Sequence, residues 1–184
     1  MTPDAIIRFY SEKDPDACGR KIEEVWRWDD AHLETTHDYI QWLFPLRVKS
    51  RFNRNAPVLT GEAIDVFRRS ASLKMSLRRS LLLMLDFYGL QLSELANGTI
   101  HIKRAHDFTT KSHNWLTRGN HNYLRLTRII RSTKMLGLEA CSFALFECLA
   151  QIYEEYPEAI SAETFRHWKR AAPANDSYNF EIKQ

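Results

Sequence analysis

The chain has 184 residues, of which 44% are hydrophobic and 27% are charged. This hydrophobic fraction is sufficient for a buried core and excludes a disordered chain, while six glycines and six prolines are too few for a fibrous or low-complexity one. The net charge is +3, and the longest apolar run, 81–85, is far shorter than the roughly 20 residues of a membrane-spanning helix, so we predict no membrane insertion.

Residues that begin and end helices predict four helices in the first half of the chain. Asp29 and Thr60 have side chains suited to an N-cap, Pro45 stops a helix that precedes it, and Gly89 suits the position just after a helix. Between these residues the apolar side chains recur at helical spacing. The predicted helices are 2–11, 20–28, 29–44 and 61–88.

Glycines and caps also separate the elements of the second half. Residues 90–103 contain an Asn-Gly pair and a β-prone Thr-Ile-His-Ile stretch, which predict a turn with a short extended piece but no sheet. Further helices are predicted over 106–117, 120–136 and 139–156, and a last one begins after Ser161.

These elements together predict an all-α fold. We expect a single compact domain of about seven or eight helices over residues 1–172, with little or no strand. No internal repeat and no linker-like segment divides the chain. Residues 173–184 are polar and are expected to form a C-terminal tail.

The three cysteines, Cys18, Cys141 and Cys148, are too few for a disulfide framework, and their number is odd. Cys141 and Cys148 lie in an apolar segment, so we expect them to be buried free thiols. The N-terminus lacks the apolar stretch of a secretion signal. These features predict a cytoplasmic protein.

The helix predicted over 29–44 carries a narrow polar stripe. At 100° per residue, its four members fall within about 60° of one another. Apolar residues border them, so the stripe is not expected to be wholly exposed. The four residues are Asp30, Glu34, His37 and Gln41.

The helix predicted over 120–136 carries a stripe of the same geometry and opposite charge, formed by His121, Arg125, Arg128 and Ser132. It also borders apolar residues. Because an acidic stripe and an arginine stripe attract each other, we expect the two helices to pack with these faces together.

Two interpretations of such an interface are open. The stripes form either an ion-pair network that fixes the register of the helices or a partly hydrated cleft for a small zwitterionic or peptide ligand. In the cleft, carboxylates would hold a cation, arginines would hold an anion, and a histidine could titrate near neutral pH. The predicted ligand-binding residues are Asp30, Glu34, His37, Gln41, His121, Arg125 and Arg128.

An enzyme is an alternative reading of the same residues. Glu34 and His37 would be its acid–base candidates, and Arg125 with Arg128 would clamp a phosphorylated or carboxylated substrate. No catalytic residue is assigned on this basis. The sequence has no H-E-x-x-H, paired-cysteine or Gly-rich phosphate motif, so we predict no metal site and no cofactor.

Nucleic-acid binding is a second alternative, suggested by an uneven charge distribution. Segment 47–79 has nine Lys or Arg against two acidic residues, and segment 101–134 has eight against one, so each carries +7. The rest of the chain therefore carries 3 − 14 = −11. Such segments either attract phosphates or pair with acidic faces elsewhere in the fold.

Several blocks of the sequence resemble a known family. The longest are HDYIQWLFPL at 37–46, FYGL at 87–90, HNYLRLTRI at 121–129 and LGLE at 136–139. Single matching residues surround the first block: Trp26, Asp30, Leu33, Glu34, Asn53, Ala56, Pro57, Leu59 and Thr60. Over about residues 5–155 the chain resembles the opioid growth factor receptor conserved-domain family.

This resemblance implies a receptor-like protein rather than an enzyme. Animal members are described as receptors for an enkephalin-type opioid peptide and are associated with the nucleus. The family implies no catalytic residue, and its two strongest blocks coincide with the two polar stripes. Because the chain ends soon after the matching region, the resemblance predicts a stand-alone, microbial member.

Overall fold

The computed structural model describes residues 5–51 and 53–173. The helices there are α1 (Ala5–Tyr10), α2 (Ile22–Val25), α3 (Asp30–Thr35), α4 (Ile40–Leu43), α5 (Gly61–Arg69), α6 (Ala71–Phe87), α7 (Phe108–Ser112), α8 (Asn122–Met135), α9 (Glu139–Glu155) and α10 (Ala162–Ala171). The strands are β1 (Leu90–Glu94) and β2 (Ile100–Arg104). The structure is therefore mostly helical. The start of the helix predicted over 2–11 and the tail beyond residue 173 lie outside the described residues.

Side-chain caps begin three helices at the residues that the sequence indicates. Asp29, Thr60 and Ser161 each accept a hydrogen bond from the backbone amide three residues further on, at 2.8–3.1 Å. These bonds satisfy amides that have no partner within the first turn of a helix. The predicted starts of α3, α5 and α10 are confirmed.

The strand content corrects the all-α prediction. β1 and β2 form an antiparallel hairpin, with Leu90 opposite Arg104 and Glu94 opposite Ile100. Its turn is the predicted Asn-Gly pair, and Gly98 has the positive φ of +80° that such turns require. Leu90 and Ile102 are buried and α9 packs against β2, so burial against a distant helix stabilises a hairpin whose own sequence only suggested a turn.

The long helices predicted in the first half are also interrupted. Ser70 ends α5 and caps α6, accepting a hydrogen bond from the Leu73 amide at 3.3 Å. The predicted helix 29–44 is two short helices, because the chain leaves the helical conformation at Thr36 and re-enters it only at α4. Helical periodicity continues across both breaks, so spacing alone did not show them.

Buried tryptophans connect the helices through their indole N–H groups. Trp26 donates to Ser80 Oγ at 2.9 Å, and Trp115 donates to the Tyr88 carbonyl at 3.1 Å. Each bond joins elements that are far apart in the sequence and satisfies a donor that burial would otherwise leave unpaired. A hydrophobic core cluster runs from α1 through α10 around these contacts.

Two further predictions concern the cysteines and membrane-spanning helices. Cys141 and Cys148 are buried free thiols, as expected. Within residues 5–51 and 53–173, no helix is both long enough and apolar enough to cross a membrane.

Replacing Gly89 by alanine is expected to destabilise the fold more than replacing Gly119. Both glycines have a positive φ, +69° and +74°, which costs an L-residue about 1–2 kcal/mol. A Cβ at Gly89 would also lie 2.8 Å from the Cα of Phe108, whereas at Gly119 nothing lies within 4 Å. In urea unfolding followed by circular dichroism, we expect Gly89→Ala to lose roughly 1–3 kcal/mol more than Gly119→Ala. Equal losses would contradict the close approach of α7 to Gly89.

Candidate functional site

The arginine stripe of α8 binds backbone carbonyls at the ends of α3 and α4. The guanidinium of Arg125 is buried and donates hydrogen bonds to the carbonyls of Leu33 at 3.0 Å and Thr36 at 2.9 Å. Carbonyls at a helix C-terminus have no partner within the helix and carry partial negative charge. Arg125 therefore caps α3 at the point where the predicted single helix breaks.

The next turns of α8 repeat this arrangement at the end of α4. Arg128 Nη1 donates to the Phe44 carbonyl at 3.0 Å, and Ser132 Oγ donates to the Pro45 carbonyl at 3.0 Å. The two stripes thus come together as expected, but most of the bonds between them run from side chain to backbone. The sequence predicted pairing of opposite charges, but it did not predict that the arginines bind backbone carbonyls.

Glu34 is the acidic residue of the interface. Its Oε2 accepts a hydrogen bond from Asn122 Nδ2 at 3.0 Å and lies 3.8 Å from Arg125 Nη1. Its Oε1 lies 3.5 Å from His121 Nε2. Burial, followed by the charge of Arg125, lowers the pKa of His121 below its usual value, so this histidine is neutral at pH 7.

His37 lies in the break between α3 and α4. Its Nδ1 is 2.9 Å from Arg125 Nη2, which has only hydrogens to offer, so Nδ1 is the acceptor and Nε2 carries the ring proton. The His37 and His121 rings meet edge to face, with centroids 5.3 Å apart. Both histidines therefore stand beside the guanidinium of Arg125.

Asp30 lies apart from this cluster. Its carboxylate is 3.5 Å from Lys111 Nζ, which also lies 2.8 Å from the carboxylate of Asp86. Burial raises the pKa of Asp30. Because α3 ends at Thr35, the helical stripe that placed Asp30 in line with Gln41 does not exist as one surface.

A cavity of about 920 Å³ opens between α8 and the α3–α4 segment. Six of the seven predicted ligand-binding residues line it: Glu34, His37, Gln41, His121, Arg125 and Arg128. Apolar residues form much of the remaining wall: Ile40, Leu46, Val48 and Leu124. The volume is in the range of small-molecule pockets.

Among the described residues, the cavity carries a positive charge that acidic side chains do not neutralise. Arg131 lines it together with Arg125 and Arg128, against the single carboxylate of Glu34. Among the ion pairs of the described residues, none joins Arg128 or Arg131 to an acid. Burial, with a smaller contribution from Arg131, lowers the pKa of Arg128 to about 10.

Sequence analysis missed several lining residues. Leu124 and Arg131 are seven residues apart and therefore lie on one face of α8, beside the arginine stripe. That spacing was visible in the sequence. Leu46 and Val48 follow Pro45 in an irregular segment, and no pattern in the sequence placed them at a cavity.

Comparisons with known proteins identify relatives over most of the chain. The family model of the opioid growth factor receptor (OGFr) conserved region matches residues 4–168. Mouse (Mus musculus) opioid growth factor receptor is 42% identical over 124 residues, covering 66% of this chain and 19% of that protein. Opioid growth factor receptor-like protein 1 of Xenopus tropicalis is 36% identical over 173 residues, covering 90% of this chain and 31% of that protein.

The human (Homo sapiens) opioid growth factor receptor is similar as well, with 39% identity over 136 residues, 72% of this chain and 19% of that protein. The chain thus spans between about a fifth and a third of the length of these relatives. A search of solved structures finds no significant match.

The two arginines of the interface are expected to contribute differently to stability. Arg125→Met strips hydrogen bonds from buried and partly buried carbonyls and should lower the free energy of unfolding by about 2–5 kcal/mol. Arg128→Met removes one such bond but also a partly buried charge without an acidic partner, so its loss should be at most about 1 kcal/mol. Urea denaturation of both variants measures the difference. Equal losses would contradict the assignment of Arg125 as the structural arginine.

Proposed function

Since this chain belongs to the opioid growth factor receptor family, we propose that it is a binding protein whose cavity between α8 and the α3–α4 segment holds a small zwitterionic or peptide ligand. The observation that carries the proposal is Arg128. This arginine is partly buried, lacks an acidic partner among the described residues and has a pKa lowered to about 10. Holding such a charge costs stability that an anionic ligand would restore.

The opposite charge lies at the other end of the same cavity. Asn122, which binds Glu34, and Arg128 are six residues apart on α8, which corresponds to about 9 Å along the helix axis. An extended peptide spans at most about 3.3–3.6 Å per residue. A short peptide can therefore place its amino group near Glu34 and its carboxylate near Arg128.

The apolar wall supports a ligand with side chains over a bare anion. Val48 and Leu124 are 62% and 60% exposed at the cavity, and Ile40 and Leu46 are buried behind them. Peptide side chains would cover the two exposed residues and gain from the removal of apolar surface from water. Inorganic phosphate would make no use of this surface.

The names of the mammalian relatives point to the same ligand class. Mouse and human relatives are named receptors for an opioid growth factor, and we extend peptide binding to this chain as part of the proposal. An enkephalin-type peptide with free termini is therefore a suitable probe.

The enzyme alternative is less well supported by the geometry. Since His37 Nδ1 accepts an N–H of Arg125 and Nε2 carries the ring proton, the ring has no free nitrogen to accept a proton, and Glu34 already accepts a hydrogen bond from Asn122. Acid–base groups need a free atom aimed at the substrate. His37 is better suited to orient the interface, and Glu34 to hold a cationic group, than either residue is to transfer protons.

Nucleic-acid binding also receives less support, because basic residues of the two positive segments pair with acids of other elements. The pairs are Arg68–Glu139, Arg78–Glu94, Arg104–Glu155 and Lys111–Asp86. Internal pairing of this kind reduces the charge available to phosphates. Pairing with acidic faces elsewhere in the fold was the other explanation of the uneven charge distribution.

The proposal predicts that binding depends on the peptide carboxylate and on Arg128. In isothermal titration calorimetry, the wild-type protein should bind the free enkephalin peptide roughly tenfold or more tightly than its C-terminally amidated form, since a charge-assisted hydrogen bond is lost. Arg128→Met should weaken binding of the free acid and leave that of the amide unchanged. Arg118→Met, which removes an equal charge from an exposed position, is the matched control and should bind like wild type.

Acetylation of the peptide amino group tests the opposite end. It should weaken binding to wild type, and Glu34→Gln should abolish that effect because the carboxylate no longer distinguishes a charged amine. Absence of heat with every peptide, or equal affinity for acid and amide, would refute the proposed function.

A further inference from the structure

We infer that the cavity selects ligands that present a backbone N–H beside their carboxylate, and that Gln41 is the residue that accepts a hydrogen bond from this N–H. The inference rests on the proposed function, because it takes peptides as the ligand class. It goes further by assigning a hydrogen-bond acceptor to the ligand's last amide and by excluding ligands with an anionic group alone.

The observation behind it is an unpaired oxygen. Gln41 is only 4% exposed and forms part of the cavity wall. Its Nε2 donates a long hydrogen bond, 3.3 Å, to the His37 carbonyl. Its Oε1 is buried and has no hydrogen-bond partner among the described residues.

A buried carbonyl oxygen without a donor is an uncommon and unfavourable feature. At a cavity wall, the cost of the unpaired oxygen is removed when a ligand supplies the missing N–H or O–H. The last torsion of a glutamine side chain is soft, so Oε1 can turn into the cavity when a donor arrives. The bond from Nε2 to His37 is long and opposes this turn only weakly.

The position of Gln41 selects the part of the ligand that it contacts. Gln41 lies on α4 one turn before Phe44, whose carbonyl binds the guanidinium of Arg128. A carboxylate at Arg128 therefore lies about one helical turn from Gln41. In a peptide, the group next to the terminal carboxylate is the last backbone N–H, which matches the acceptor of Gln41.

This arrangement separates peptides from other anions. Sulfate and simple carboxylates at neutral pH bring acceptors to the arginines but no donor to Oε1. A site that holds a polar group for the ligand's N–H rejects analogues without that N–H, because its own buried polar group then stays unpaired. The glutamine is thus a specificity-determining residue.

The test compares the free enkephalin peptide with a depsipeptide analogue in which the last amide N–H is replaced by an ester oxygen. Charge and length are the same in both ligands. Calorimetry with the wild-type protein should show the amide binding roughly twofold to tenfold more tightly than the ester, the range expected for one neutral hydrogen bond. In Gln41→Met, which has similar volume and only a weakly accepting sulfur, the two ligands should bind about equally.

The amide-to-ester affinity ratio of the wild-type protein is divided by the same ratio for Gln41→Met. This double-mutant cycle isolates the hydrogen bond between Gln41 and the ligand, because other effects of the ester are the same in both proteins and cancel. Urea unfolding should show Gln41→Met to be as stable as wild type, since the substitution removes an unpaired buried oxygen. Gln41→Leu is a second variant should the methionine variant fail to fold, and the wild-type comparison needs no variant at all.

The outcomes separate this inference from the proposed function. Equal binding of amide and ester by wild type, or a preference that persists in Gln41→Met, overturns the role of Gln41 and leaves peptide binding intact. Absence of binding of either ligand to wild type overturns both.

Discussion

The buried guanidinium of Arg125 is the interaction on which the rest of the site depends. It binds the carbonyls that α3 exposes where it ends, meets His37 Nδ1 and lies 5.6 Å from the centre of the Tyr39 ring. One side chain thus stabilises the end of a helix, orients a histidine and holds α8 against the break. An isolated helix six residues long is not stable in water, so α3 depends on contacts of this kind.

The break between α3 and α4 is what gives the interface a cavity. A continuous helix packed along α8 would interdigitate side chains and fill the space between the two axes. Instead, the chain leaves the helix at Thr36, and irregular residues after Pro45 form another part of the wall. Arginines that cap the two short helices thereby also line a space of about 920 Å³.

Two neighbouring arginines on α8 differ in their surroundings. Arg125 is 5% exposed and bonded to several acceptors, whereas Arg128 has a single carbonyl partner within residues 5–51 and 53–173 and a lowered pKa. Natural proteins commonly retain such unfavourable charges where function needs them, and the rest of the fold compensates. In the proposed function, Arg125 belongs to the network that fixes the register of the helices, and Arg128 belongs to the binding cleft.

The sequence by itself determined the features that depend on neighbours along the chain. The caps at Asp29, Thr60 and Ser161, the turn at Gly98 and the polar stripe of α8 follow from local hydrogen bonding and helical periodicity. Its conserved-region blocks also identified the family, because they match over most of the chain. Only the tertiary structure decided the hairpin, the break after Thr35, the separate place of Asp30 and the unpaired oxygen of Gln41. The hairpin, the break and the place of Asp30 each depend on a partner far away in the sequence: α9, Arg125 and Lys111. The oxygen of Gln41 is unpaired because no distant element among the described residues brings it a donor. Helical periodicity shows which residues share a face of a helix. It does not show that a helix ends where a donor from a distant part of the sequence binds its last carbonyls.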